Sequence, residues 1–199
     1  MFDKQAMRRA MRQMRRALPA AKQREACEAL ARHLGQQAFF QNASHIAFYM
    51  PSDGEIDPGS ALELAHRAGK TLYLPVLDIL KDDLMHFVPW QPGEPLVKNR
   101  YGILEPVHTG SNSAPLARLD LVCLPLVAFD PSGNRLGMGG GFYDRTFAQP
   151  AKGLPHKPLL VGLAHHFQQA ESLPCDPWDV PLHAVATDQG VTFTPRNPS

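Results

Sequence analysis

The sequence predicts an α/β fold, a single three-layer domain with a mostly parallel central sheet, and three observations lead there. Short apolar segments alternate with amphipathic helical ones in the order strand, helix, strand over residues 46–77, which calls for a right-handed crossover between parallel strands. Two further segments, Leu119 to Val127 and Leu159 to Leu163, are short continuous apolar runs of the kind buried strands present. A glycine-rich loop follows the first of these runs and opens into a helical pattern, the place where open α/β sheets receive ligands. A length of 199 residues supports one domain with a substantial core, taken as 1–199, and leaves no room for two large ones.

The elements follow in order. Asp3 is an N-cap, and Met7, Met11, Met14 and Leu18 recur at helical spacing, so residues 4–17 form an amphipathic helix ended by Pro19. A second helix runs from Ala20 to Leu34 and stops at Gly35, and residues 1–34 are expected to pack as a basic helical pair on the α/β body. Ile46 to Met50 is a buried strand closed by Pro51. Asp57-Pro58 pairs a cap with proline at the first helical position, and Ala61, Leu62, Leu64, Ala65 and Ala68 carry that helix to Gly69. Strands follow at Leu72 to Leu77 and Leu84 to Val88. Residues 91–115, dense in proline and glycine, predict a loop-rich excursion anchored by Tyr101, Ile103 and Leu104. A helix begins near Phe142, and Ala184 to Thr187 with Val191 to Phe193 form a terminal hairpin.

The formal charge is +1, but it is a sum of unlike parts. Lys4, Arg8, Arg9, Arg12, Arg15, Arg16, Lys22 and Arg24 against Asp3 put +7 into the first 24 residues and leave −6 for the rest. Hydrophobic residues at 44% and charged residues at 20% exclude a disordered or low-complexity chain. The longest apolar stretch is interrupted by Asp120 and Pro125 and falls short of the roughly 20 residues that span a bilayer. Cys27, Cys123 and Cys175 are too few and too dispersed for a disulfide framework, so a reducing cytoplasm is the expected compartment, with no membrane partner. The Arg-rich start lacks the serines of a transit peptide.

The most informative segment is Gly133-Asn134-Arg135-Leu136-Gly137-Met138-Gly139-Gly140-Gly141-Phe142-Tyr143-Asp144-Arg145. Five glycines within nine residues let a backbone approach a phosphate closely, and Arg135 adds a planar cation suited to its oxygens. Asp144 offers a carboxylate for magnesium, which takes one or two such ligands beside phosphates and water. Phe142 stands where a dinucleotide fingerprint requires a small residue, and no GxxxxGK[ST] occurs, so this is neither of the two familiar phosphate loops.

The whole pattern resembles the 5-formyltetrahydrofolate cyclo-ligase family, also called 5,10-methenyltetrahydrofolate synthetases. The resemblance rests on Lys4 and Arg8, on Phe48-Tyr49-Met50-Pro51 with Gly54-Glu55-Ile56, and on Tyr101-Gly102-Ile103-Leu104-Glu105-Pro106. Its most specific part is Leu124 to Asp130 running into the glycine loop, and it closes with Gly162-Leu163-Ala164, Gln168, Leu173-Pro174 and Asp179-Val180-Pro181. It implies an ATP- and Mg2+-dependent enzyme that converts 5-formyltetrahydrofolate into 5,10-methenyltetrahydrofolate with release of ADP and phosphate. It also implies a layered design shared with phosphosugar isomerases and CoA transferases. By the resemblance, Lys4, Gln5, Ala6, Met7 and Arg8 contact ATP, as do Arg135, Leu136, Gly137, Met138, Gly139, Gly140, Gly141, Phe142 and Tyr143. Arg8, Met50, Glu55 and the loop from Met138 to Phe142 line the folate site, and Asp144 is the magnesium ligand. Arg135 and Lys4 are the residues expected to stabilise the transferred phosphoryl group. Two positions depart from the family. His183 stands where a second metal-associated Asp is usual, a nitrogen donor offered to a cation that prefers oxygen. Met138 replaces a Tyr or basic residue.

Other side chains receive plainer readings. The Met7, Met11, Met14 stripe is expected in the core, and Arg9, Arg12, Arg15 and Arg16 on the surface as a diffuse positive field. Asp57 is a cap, Asp130 is equally suited to a turn or a site, and Glu105 has no assigned chemistry. His165 and His166 are adjacent and cannot share a helix-face metal site. Two other classes are alternatives: a nucleic-acid binder using the basic first helix, which the acidic remainder and the lack of a stacking-aromatic motif oppose, and an anion-binding enzyme acting on sugar phosphates or CoA esters. The expected partners are small molecules, with no nucleic acid, and a monomer is the expected state.

Overall fold

The computed structural model describes residues 2–77, 84–107, 112–148 and 158–195. The helices and strands are, in order, α1 (Lys4–Ala17), α2 (Ala20–Gly35), α3 (Ala38–Asn42), β1 (His45–Ala47), α4 (Gly59–Arg67), β2 (Thr71–Leu77) and β3 (Met85–Pro89). They continue with β4 (Leu96–Lys98), β5 (Leu104–Pro106), β6 (Leu121–Pro125), β7 (Ala128–Phe129), β8 (Arg135–Leu136), α5 (Phe142–Ala148), β9 (Leu159–Ala164), β10 (Ala184–Thr187) and β11 (Gly190–Phe193). Seven strands form the main sheet in the order β11-β10-β9-β6-β1-β2-β3. Its five inner strands are parallel, and each edge ends in an antiparallel partner, β3 on β2 and β11 on β10.

The sheet separates two apolar layers because successive side chains of a strand point to opposite faces. On one face Ile46, Leu72, Leu121, Cys123, Val161 and Ala184 meet Ala26, Leu30 and Leu34 of α2, Phe40 of α3, and Ala61 and Ala65 of α4. On the other, Ala47, Tyr73, Val122, Leu124, Leu160 and Val185 meet Phe142, Tyr143 and Phe147 of α5. The predicted three-layer α/β fold with a mostly parallel sheet is the one observed.

Local signals fixed most boundaries. The Asp3 carboxylate accepts from the Gln5 and Ala6 amides at 2.8 and 2.9 Å, so the expected cap of α1 forms, whereas α4 begins one residue later than expected, with Pro58 at its N-cap and Asp57 accepting from Gly59 N at 2.8 Å just before it. Four further places differ from expectation. The five-residue α3 is too short to show a period, yet it buries Phe40. The strand expected through Met50 leaves the ladder after Ala47, which frees Tyr49 and Met50 to wall a cleft. The proline- and glycine-dense excursion contains the antiparallel pair β4–β5, with Val97 opposite Glu105. The long run from Leu119 divides into β6 and β7 because side chains cap its carbonyls: Gln168 Nε2 donates to Leu126 O and Val127 O, and Arg15 Nη1 donates to Leu126 O.

The first two helices take different positions. α2 enters the core through Leu30 and Leu34, neither of them exposed. α1 crosses instead to the small β7–β8 hairpin, where Met7 and Met11 pack on Ala128, Leu136 and Leu173. Met14 does not belong to that contact and is exposed, contrary to the stripe expectation. Among the described residues no helix is long and apolar enough to cross a membrane.

Candidate active site

A cleft of about 970 Å3 opens at the carboxyl ends of the parallel strands, between the loop after β8 and the start of α1. Its size suits small-molecule ligands. Lys4, Arg8, Met50, Glu55, Arg135, Leu136, Gly137 to Tyr143 and Asp144 all line it. Residues separated by more than a hundred positions in the chain are thus brought to one surface.

The floor on the loop side is built around α5. Gly141, at φ 65°, adopts the left-handed conformation that turns the chain into that helix, and its carbonyl accepts the Arg145 amide at 3.0 Å. Arg135 is not offered as a free cation. Its side chain is only 6% exposed, Nη2 donates to Asp144 Oδ1 at 2.6 Å, and Nη1 donates to the Val180 carbonyl. Asp144 Oδ1 also accepts from Val180 N at 3.0 Å. Both cleft groups are therefore braced by the segment around Asp179, which itself accepts from Asp176 N at 2.8 Å.

α1 closes the cleft from above. Arg8 Nε donates to the Gly137 carbonyl at 2.8 Å, and Lys4 Nζ pairs with Asp176 Oδ2 at 2.7 Å while both side chains stay partly exposed. Gln5, Ala6 and Met7 do not line the cleft. The first two amides serve the Asp3 cap, and Met7 packs inward on Leu136 and its neighbours.

The opposite wall comes from the turn after Pro51. Asp53 and Gly54 both have positive φ, 52° and 72°, and Glu55 N donates to Ser52 O at 2.9 Å, as the Asp-Gly pair of a type I′ turn would. A Cβ on Gly54 would stand 2.9 Å from the carbonyl carbon of Arg15, so only glycine lets α1 lie this close. Glu55 Oε2 accepts from Ser52 N at 3.0 Å, and its Oε1 lies 4.0 Å from Arg15 Nη1. Burial raises the Glu55 pKa above the ordinary carboxylate value, with the Ser52 amide and the Arg15 charge pulling the other way. Burial also raises the phenols of Tyr49 and Tyr143 beside it.

Sequence reasoning missed the group that fixes this wall. Arg12, Arg15 and Arg16 all bind the Asp53 carboxylate, Arg12 Nε at 2.6 Å and Arg15 Nη2 at 3.0 Å. The expected diffuse surface field is corrected here, because Arg15 has no exposed side-chain surface and Arg12 is half-buried. Burial alone would raise the pKa of Asp53, but hydrogen bonds from Arg12 and Arg16 hold it below the usual range. The signal available was the spacing of the three arginines at three and four residues, one helix face, together with the Asp-Gly dipeptide.

Other assignments also resolve. Asp130 is a turn organiser: its carboxylate accepts from Ser132 N, Asn134 N, Asn134 Nδ2 and Leu173 N. Glu105 is buried, accepts from Asn99 Nδ2 at 2.9 Å and lines the cleft, so it holds the Tyr101 loop in place. Trp178, Asp176 and Asp179 form a rim; Asp179 belongs to the Asp179-Val180-Pro181 motif, whereas no motif marks Asp176 or Trp178. The structure does not bring His183 to the cleft; its Nδ1 accepts from Leu160 N at 2.9 Å, which uses the lone pair a metal would need. Among the described residues no cluster of three or more His, Cys, Asp or Glu forms a metal cage. The carboxylates in the cleft, Asp144 foremost, still fit a hard cation that draws its other oxygens from phosphates and water.

The fold and cleft define an α/β enzyme whose site, at the strand ends of a parallel sheet, joins a glycine-rich loop, basic residues of an overlying helix and a buried carboxylate. The chain belongs to the 5-formyltetrahydrofolate cyclo-ligase family, whose model matches residues 1–188. It is 41% identical over 181 residues to 5-formyltetrahydrofolate cyclo-ligase of Escherichia coli, covering 91% of this chain and 98% of that protein. It is 40% identical over 183 residues to the Haemophilus influenzae enzyme of the same name, covering 92% and 96%. The solved structure of Aquifex aeolicus 5,10-methenyltetrahydrofolate synthetase superposes with a TM-score of 0.78 at 29% identity, over 98% of this chain and 95% of that one.

Proposed function

We propose that this chain is an ATP-dependent ligase that closes 5-formyltetrahydrofolate to 5,10-methenyltetrahydrofolate, releasing ADP and phosphate. The observation that carries the reading is the cleft itself, where a family member's Gly137–Gly141 loop, Lys4 and Arg8 face the buried Glu55. A formyl group on nitrogen is a poor electrophile because the nitrogen lone pair feeds the carbonyl. In the proposed course its oxygen attacks the γ-phosphorus and ADP leaves. The neighbouring folate nitrogen then attacks the activated carbon, and the phosphate departs with that nitrogen's proton as the bridge forms.

Phosphoryl transfer depends on alignment and charge stabilisation rather than on a protein nucleophile. Lys4 and Arg8, set over the loop, would meet the phosphates, with loop amides supplying further donors. Met50 and Glu55 would receive the folate, Glu55 accepting pterin N–H groups through the lone pairs Ser52 does not use. Asp144 would hold Mg2+, whose chemistry is to neutralise charge on the phosphate oxygens. A magnesium phosphate carries both signs, so the Arg135–Asp144 pair could receive it without leaving either group unpartnered. We read the chain as belonging to a reducing cytoplasm, which its three free cysteines support, and as a monomer.

The test is an assay of the purified protein with 5-formyltetrahydrofolate and MgATP, following methenyl absorbance and ADP together. Stoichiometric formation of both is expected, and no turnover with both substrates saturating would overturn the reading.

A further inference from the structure

We propose that Arg15 is a positioning residue of the folate subsite, acting on the pterin through Glu55 without touching either substrate. This rests on the reading of Glu55 as the folate carboxylate.

Arg15 is buried completely beneath the cleft and does not line it. One guanidinium nitrogen, Nη1, donates to the Leu126 carbonyl at 3.1 Å and stands 4.0 Å from Glu55 Oε1. The other, Nη2, donates to Asp53 at 3.0 Å. A single planar fork thus ties the end of the β6 run to the Asp53-Gly54 turn by two hydrogen bonds and sets its charge 4.0 Å from the Glu55 oxygen that Ser52 N does not bind. A rigid fork holds its two acceptors at fixed angles and so fixes where that charge stands, whereas a lysine ammonium is a point charge on a flexible stem.

The charge of Arg15 has a second use beside its bracing of Asp53. Glu55 has to stay ionised to accept N–H donors, yet it is buried. The charged and titratable groups around it are Asp53 on its own turn, Tyr49 after β1, Tyr143 of α5 and Arg15 of α1. Asp53 opposes a second negative charge, though Arg12 and Arg16 also hold that carboxylate, and the two phenols stay uncharged in this range because burial raises their pKa values. Arg15 is the cation among them, and it keeps the carboxylate charged and pointed at the ligand.

The sign of the pH effect follows. The folded Glu55 pKa is raised by burial, so folate binding is present above that pKa and is lost as pH falls through it. Removing Arg15 raises it further, and the loss then begins nearer neutrality.

The test measures calorimetric binding of 5-formyltetrahydrofolate and, separately, of MgATP across roughly pH 5 to 8. Arg15→Met and Arg15→Gln are expected to weaken folate binding about tenfold at neutral pH and to move its acid limb up by about one unit, with MgATP affinity within about twofold. In a Glu55→Gln background the acid limb should vanish, and adding Arg15→Gln should change little. Equal losses for both ligands with an unmoved limb would mean that Arg15 only tethers α1, and would overturn the proposal. If neither neutral variant folds, Arg15→Lys decides: weaker folate binding with the limb in place supports it, and unchanged folate binding sinks it. Wild type that binds no folate defeats the functional reading along with this inference; wild type that binds it, with the Arg15 variants unaffected, defeats this inference alone.

Discussion

α1 carries two clusters of arginine and lysine that use the same chemistry for opposite ends. Toward its start, Lys4 and Arg8 hold Asp176 and the Gly137 carbonyl by one contact each and remain partly exposed, so an incoming phosphate can replace those contacts at little cost. Toward its end, Arg12, Arg15 and Arg16 converge on one carboxylate, Asp53, in a setting where Arg15 has no access to water. The first arrangement is available to a ligand and the second is not. Burial and the number of partners, rather than residue type, decide which charge binds and which one braces.

That contrast gives its largest expected effect at Asp53. Asp53→Asn removes the hydrogen-bonded counter-charge of buried Arg15, leaving only the Glu55 carboxylate 4.0 Å away, and should destabilise the fold by about 3–5 kcal/mol, read from urea unfolding of the ligand-free protein. Because the folded pKa of Asp53 is lowered, its contribution is present above the ordinary carboxylate pKa and is lost as pH falls below about 4, so the variant should also show a shallower acid dependence of stability. At the open end the order reverses. Asp144→Asn should cut turnover by roughly a hundredfold, about 2.7 kcal/mol of transition-state stabilisation, beside a loss of stability from the nearly buried Arg135 that it leaves without a counter-charge; full activity would remove Asp144 from the metal site.

Smaller effects sharpen the comparison. Lys4→Ala should raise the KM for ATP about tenfold yet cost only about 0.2–1 kcal/mol of stability, because the Asp176 pair is partly solvated. His183→Asp is expected to leave the magnesium dependence of turnover unchanged, since the side chain is turned to the Leu160 amide away from the cleft. A shift in the magnesium midpoint would place that residue at the metal after all.

Much of the site could be read from the sequence because its signals are local. The glycine loop lies within nine residues, and its position after an apolar strand follows from the α/β pattern. The cap at Asp3 and the Asp57 turn beside α4 depend only on amides two or three residues away. β4 and β5 were hidden because each has three residues set among prolines and glycines, too few to alternate visibly. Arg15 was hidden for a different reason. On its helix it looks like Arg12 or Arg16, and nothing within a turn of it indicates burial.

The sequence by itself determined the α/β order, the Asp3 cap, the phosphate-type loop and the family, since each is written in short-range spacing or in an ordered set of motifs. Only the tertiary structure decided that α1 leaves α2 to cover the β7–β8 hairpin, that His183 turns from the cleft, and that Asp53 gathers three arginines. Those outcomes depend on contacts between residues tens of positions apart, where the energy of a charge is set by how much water the whole fold leaves around it.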